Sequence, residues 1–203
     1  MTEKEYLENI KDAFGQIVDQ RIERKGISDL LFWLENETDF FTAPASTRFH
    51  GAYAGGLAMH SIHVCQRLIQ LCRTYNIGNK VSIAIVSLFH DVCKANFYGV
   101  EWRNRKDDKT GKWQRKPVFI IQDQFPAGHG EKSVMLIQRF MPLTNEEIMA
   151  INWHMGFSDA RAQGYAGMNA VSAAFEKYPL ALLLHFADMQ ATYWDEKTNP
   201  EEE

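Results

Sequence analysis

The stretch Lys80-Val81-Ser82-Ile83-Ala84-Ile85-Val86-Ser87-Leu88-Phe89-His90-Asp91-Val92-Cys93-Lys94 decides the fold. Wound as a helix it is apolar on every side, and a helix of that kind belongs in the middle of a protein. It ends in His90-Asp91. A buried segment does not carry an adjacent imidazole and carboxylate unless something satisfies them, because an unpaired buried charge is costly. Lys94 follows His90 by four positions and Asp91 by three, which puts the three polar heads on neighbouring positions of one helix face.

Towards the N-terminus, the turn Asn76-Ile77-Gly78-Asn79 separates this segment from a helix expected over residues 57–75, introduced by Gly55-Gly56. Residues 39–53 carry Pro44, Gly51 and small side chains without a clear period and read as a long loop. Ser28-Asp29 can start a short helix through Trp33. Residues 2 to about 25 place Tyr6, Ile10, Phe14, Ile17, Val18 and Ile22 at helical spacing, and Gly26 breaks the pattern.

Towards the C-terminus the pattern changes. Residues 97–105 and 113–121 are rich in aromatic and β-branched side chains and are separated by Asp107-Asp108-Lys109-Thr110-Gly111, which predicts a β-hairpin with a longer turn. Helices resume over 131–140 and 145–154, the second opened by a Thr144/Glu147 capping box. Residues 156–167 read as loop, 169–177 and 180 to about 194 as the last helices, and 196–203 as a tail. The expected fold is all-α: a single domain built as a helical bundle with one inserted β-hairpin, with N-terminal helices over 1–38, a core over 50–195 and the insertion over 97–125. No βαβ alternation suggests a doubly wound sheet.

With 203 residues, 45% of them hydrophobic and 24% charged, the chain suits one globular domain and not a disordered or collagen-like protein. No apolar run approaches the ~20 residues a membrane span needs. The polar, acidic start lacks the order of a secretion signal, so a cytoplasmic location is the expectation. Cys65, Cys72 and Cys93 form no C-x-x-C pair, which argues against a disulfide framework or a cysteine zinc site. Cys65 and Cys72 read as small core hydrophobes. A net charge of −4 argues against a wholly basic nucleic-acid binder.

Several other polar residues stand near expected helix ends or on apolar faces. His60 lies early in its helix, His129 sits within Pro126-Ala127-Gly128-His129-Gly130, His154 closes a helix, and Asp188 interrupts an apolar one. Imidazole nitrogens and carboxylate oxygens together suit a divalent transition metal without any cysteine.

The order His60, His90-Asp91, His129, His154, Asp188 resembles the H…HD…H…H…D framework of the HD-domain superfamily of metal-dependent phosphohydrolases, over residues 50–195. The stretch Tyr53-Ala54-Gly55-Gly56-Leu57-Ala58-Met59-His60-Ser61 is similar to the HD domains of bacterial 3′-to-5′ exoribonucleases, and more loosely to HD-type cyclic phosphodiesterases. One departure is Cys93, where many members have Gly before the Lys that is here Lys94. The resemblance implies two divalent ions (Mn, Fe, Co, Ni, Zn or Mg), with His60, His90, Asp91 and Asp188 on the first and His129 and His154 on a second that Asp91 bridges. It implies a phosphohydrolase or phosphodiesterase in which a metal-activated hydroxide attacks a phosphate ester, Asp91 and Lys94 serving catalysis. A phosphorylated small molecule, nucleotide or short oligonucleotide is the implied substrate. An HD-type di-iron oxygenase and a non-catalytic nucleotide-binding module are the alternatives.

The expected hairpin carries Arg103, Arg105, Lys106, Lys109, Lys112, Arg115 and Lys116 against only Glu101, Asp107 and Asp108. Positive charge therefore concentrates there, although a charged hairpin is also simply a solvated one. Arg103, Arg105 and Arg115 are candidate contacts to a polyanionic substrate. Trp102 and Trp113 either stack on a base or pack beneath the hairpin. Arg48 and His50, in the loop, and Lys132, near a helix N-terminus, are further candidates. His63 and His185 are read as orienting or packing residues. Phe40-Phe41 and the first helix are the surfaces by which a homo-oligomer would form.

Overall fold

The computed structural model describes residues 2–107 and 110–196. Met1, Asp108, Lys109 and residues 197–203 lie outside the described residues. The chain is mostly helical with one two-stranded antiparallel hairpin. Its elements are α1 (Glu3–Arg21), α2 (Ile27–Asn36), α3 (Gly56–Tyr75), α4 (Lys80–Phe89), β1 (Tyr98–Lys106), β2 (Trp113–Ile121), α5 (His129–Ile137), α6 (Asn145–Asn152), α7 (Tyr165–Lys177) and α8 (Pro179–Gln190). A π-helical turn, Ala191–Asp195, continues α8. None of the described helices is long and apolar enough to cross a membrane.

Helix α4 is the centre, as its composition demands. Every residue from Ser82 to Phe89 is buried, and α1, α3, α6 and α8 pack around it. Its two serines are satisfied internally: Ser87 Oγ donates to the Ile83 carbonyl at 2.7 Å and Ser82 Oγ to Glu147 Oε1 at 2.7 Å. Glu147 also closes the expected capping box with Thr144 at the start of α6 and takes an ion pair from Arg24 at 2.6 Å. One buried carboxylate thus joins the start of α4, the start of α6 and the segment after α1. Leaving such a group without its cation is a cost of about 3 kcal/mol or more.

The helix is shorter than its apolar pattern. It stops at Phe89, His90 caps it, and Asp91 leaves the helical region at φ −104°, ψ 18° before a 3₁₀ turn over Val92–Lys94. His90, Asp91 and Lys94 therefore do not share an α-helical face. In a 3₁₀ turn the side chains at i and i+3 eclipse, and Lys94 Nζ meets Asp91 Oδ2 at 2.7 Å. At other ends, α1 stops four residues early, at Arg21, α5 begins at His129 itself, and α7 starts at Tyr165, inside the expected loop.

Phe40 and Phe41 are buried, not displayed. Both rings meet Phe14 edge-on, at 5.5 and 5.3 Å, and Phe14 meets Phe89 of α4 at 5.7 Å. These two rings belong to the core and are not displayed for an oligomer contact.

The hairpin projects from the bundle. Its register pairs Tyr98 with Ile121, Trp102 with Pro117, Arg103 with Lys116 and Asn104 with Arg115. Glu101 to Lys106 and Trp113 to Pro117 are exposed on both faces. Trp102 and Trp113 are 57% and 71% exposed, so neither packs as core. Because opposed residues share a face and neighbours alternate, Arg115 lies with Trp102 and Trp113, whereas Arg103 and Arg105 lie on the opposite face. The three candidate arginines are thus divided between the two faces of the hairpin.

Candidate metal centre

Five elements deliver the six expected ligands to one place. His60 comes from the first turns of α3, His90 and Asp91 from the end of α4, His129 from the first residue of α5, His154 from just beyond α6, and Asp188 from α8. The imidazoles form a row, with ring centres 5.3 Å apart for His60 and His90, 4.9 Å for His90 and His154, and 5.1 Å for His154 and His129. Asp91 lies along it. Its carboxylate is 2.8 Å from His129 Nε2, 3.5 Å from His154 Nε2, 3.6 Å from His90 Nε2 and 3.9 Å from His60 Nε2. Asp188 Oδ1 stands 3.1 Å from His60 Nε2.

The bonds behind the rings fix what they present. His90 Nδ1 donates to the Ser87 carbonyl at 2.8 Å and His154 Nδ1 to the Ile151 carbonyl at 2.7 Å. A carbonyl can only accept, so Nδ1 carries a proton in each ring, and the neutral form of the ring leaves its lone pair on Nε2. Both Nε2 atoms are buried and have no hydrogen-bond partner. A buried orphan acceptor is uncommon in a folded protein, and here two of them face one carboxylate. Neutral imidazole with a free Nε2 beside a carboxylate is the donor set a divalent cation takes, with the second nitrogen anchored on a carbonyl. The residues present fit a metal, and this His/Asp cluster could hold one.

Charge follows the same pattern. Burial pushes His90 down to about 3, so its ring is neutral. Burial acts to raise Asp91, but Lys94, His90 and His129 outweigh it and hold the carboxyl well below its ordinary value. Burial acts to lower Lys94, and Asp91 reverses that and keeps the ammonium charged. At His60 burial is outweighed by hydrogen bonds to Asp188 and Glu196, which raise the ring to about 10. At His129 it is outweighed by Cys93 and Asp91, again to about 10. In the metal-free chain, protons on His60 and His129 thus offset part of the carboxylate charge.

Comparison of the chain with protein-family models, curated proteins and solved structures finds no significant match.

Two neighbours of the cluster escaped the reading of the sequence. Glu196, assigned there to the tail, has its carboxylate buried and accepts from His60 Nδ1 at 3.0 Å and His63 Nδ1 at 2.9 Å. The π-helical turn after α8 carries it there, while Arg67 pairs with Asp195 to hold the turn against α3. Nothing in the local pattern signals such a turn. Cys93 was read only as a packing departure, yet its sulfur lies 3.3 Å from His129 Nδ1. Its spacing two residues after Asp91 was the available signal.

The remaining candidates fall differently. His50 stands beside the cluster, its ring 5.0 Å from that of His60, and Arg48 is exposed two residues before it. His63 shares Glu196 with His60. His185 Nδ1 donates to the His154 carbonyl at 2.7 Å and so supports His154, not Asp188. Lys132 is buried, paired with Asp123 and set over the Phe97 ring at 5.0 Å. Its ammonium is committed to the root of the hairpin, which corrects its assignment as a substrate contact. Arg103 is paired with Glu101 at 2.7 Å on the exposed hairpin. The root itself reaches the cluster: Tyr98 feels the charges of Lys94 and Asp91, and its hydroxyl donates to the Ala45 carbonyl at 3.1 Å.

Proposed function

We propose that the protein is a metal-dependent phosphohydrolase or phosphodiesterase of HD-domain type, acting on a nucleotide or short oligonucleotide. The observation that carries this reading is the pair of orphaned Nε2 atoms, on His90 and His154, aimed at Asp91 with Lys94 beside it. His60, His90, Asp91 and Asp188 would hold one cation, and His129 and His154 a second with Asp91 between them. Divalent cations in such a pair supply Lewis acidity, neutralising phosphoryl charge and making water acidic near neutral pH.

The chain's own residues do the rest. Asp91, anionic by its surroundings, joins both halves of the cluster. The Ser87 and Ile151 carbonyls fix the tautomers of His90 and His154, so no ring has to reorient when a ligand arrives. Lys94 is a fixed positive charge at the edge of the cluster. A phosphate oxygen placed near Asp91 meets it at once, and charge developing on that oxygen is stabilised without reorganisation. His129, 31% exposed at its side chain, marks the open side through which a substrate enters.

The test is turnover of a panel of nucleotides and a generic phosphodiester with added Mn²⁺, Co²⁺, Ni²⁺ or Mg²⁺. We expect metal-dependent release of phosphate or nucleotide, abolished in Asp91→Asn together with metal retention. Lys94→Ala should keep the metal and lose most of the rate, on the order of a hundredfold as for loss of one preorganised charge stabiliser. Iron-dependent consumption of O₂ with no phosphoryl turnover would reverse the assignment.

A further inference from the structure

The outer end of the cluster holds one donor that the six-ligand reading leaves unused. Cys93 Sγ lies 3.3 Å from Nδ1 and 3.8 Å from Nε2 of His129. Ligand atoms of Asp91, Cys93 and His129 all fall within 4.8 Å of one another. Cys65 and Cys72 belong to the apolar core, whereas Cys93, equally buried, does not. Its position is held from behind, because its backbone N–H donates to Ser133 Oγ of α5 at 3.1 Å. The 3₁₀ turn is thereby tied to the helix that begins with His129.

A second observation points to a ligand at the same spot. His154 Nε2 is buried without a partner and faces Asp91 Oδ1 from 3.5 Å, the same oxygen that His129 Nε2 meets at 2.8 Å. The Asp91 carboxylate thus faces both imidazoles, and the sulfur stands within reach of that carboxylate and of His129.

We propose that Cys93 is a metal ligand, supplying a thiolate to the outer position alongside Asp91, His129 and His154. This rests on the metal-centre reading and deepens it by naming the class of cation. A set of one sulfur, two imidazoles and one carboxylate favours borderline ions such as Zn²⁺, Co²⁺ or Fe²⁺, whereas Mg²⁺ prefers oxygen. The thiol needs no dedicated base, since a coordinating thiol is deprotonated by the cation's charge and its proton is released to solvent. The outer position is therefore the selective one, and the position at His60, His90 and Asp188 takes only nitrogen and oxygen.

The experiment is a Co²⁺ titration of the metal-free full-length chain, followed by absorption spectroscopy and repeated with Cys93→Ser. We expect a sulfur-to-cobalt charge-transfer band in the near ultraviolet beside the visible ligand-field bands. In Cys93→Ser that band should vanish, the visible bands should persist, and affinity for one equivalent of Co²⁺ should fall about tenfold or more, at least the scale on which outer partners of ligands act. Excess Mg²⁺ should displace Co²⁺ from the variant more readily than from the unmutated protein. X-ray absorption at the cobalt edge of the unmutated chain reads the same sulfur without any variant. Cobalt bound with no sulfur signal, or a charge-transfer band that survives in Cys93→Ser, overturns the assignment while leaving the metal centre standing. A chain that retains no Co²⁺ at all removes the metal centre and this ligand with it.

Discussion

At His60 both ring nitrogens are engaged, Nε2 with Asp188 at 3.1 Å and Nδ1 with Glu196 at 3.0 Å. His129 is engaged likewise by Asp91 and Cys93. A cation entering the cluster must displace the protons these arrangements hold, so binding is linked to pH. Both rings are raised from 6.5 to about 10. Their contribution to stability in the metal-free chain is complete below about pH 6.5 and is lost as pH rises through about 10. Thermal unfolding of chelator-treated protein should therefore show a falling Tm across that window, while the gap to the metal-loaded protein widens. A gap that narrows as pH rises contradicts the account. His60, His90, Asp91, His129, His154 and Asp188 were legible in the sequence because their order and their apolar settings single them out. Glu196 was not, since its partners lie more than 130 positions away, and Cys93 looked like a change of packing.

Among the elements, α5 and α6 set the spacing of the outer ligands. Gly130, next to His129, packs directly on the backbone that leads to His154. A Cβ there would come within 2.6 Å of the Ile151 carbonyl oxygen and closer still to that of Asn152. Gly130→Ala should therefore push α5 from α6, destabilise the fold by about 1–3 kcal/mol as overpacking does, and weaken metal binding by separating His129 from His154. Calorimetry with and without metal reads both effects. Lost stability with unchanged metal affinity would show that this contact does not govern the centre. The helices were legible here and their ends were not. The apolar run that names α4 continues through Val92, but the chain leaves the α-helix at Asp91 because the carboxylate is turned into the cluster. Local propensity does not register that tertiary demand.

The whole molecule sets a buried cluster beside a hairpin that stands free on both faces. An isolated two-stranded hairpin is marginal in water, and this one is fastened at its root by Tyr98 to the Ala45 carbonyl and by Lys132 to Asp123. If an oligonucleotide lies along it, the face that joins aromatic rings to a cation should matter most, since bases stack on aromatic side chains while cations track the backbone. Trp102→Ala with Arg115→Ala should raise KM for an oligonucleotide and flatten its salt dependence more than Arg103→Ala with Arg105→Ala. The reverse ranking, or no change in either pair, removes the hairpin from substrate binding. The helical class and the single hairpin were readable from periodicity. The division of the arginines between faces depends on register, which the long turn left open.

The most direct test of the centre is an anomalous-difference map from crystals of the full-length chain grown with Co²⁺. Two peaks are expected about 3.5–4 Å apart, one among His60, His90 and Asp188 and one against Asp91 with His129 and His154. Cobalt in the crystal but no peak among these side chains, with the Nε2 atoms of His90 and His154 bonded to water or protein instead, would contradict the metal centre.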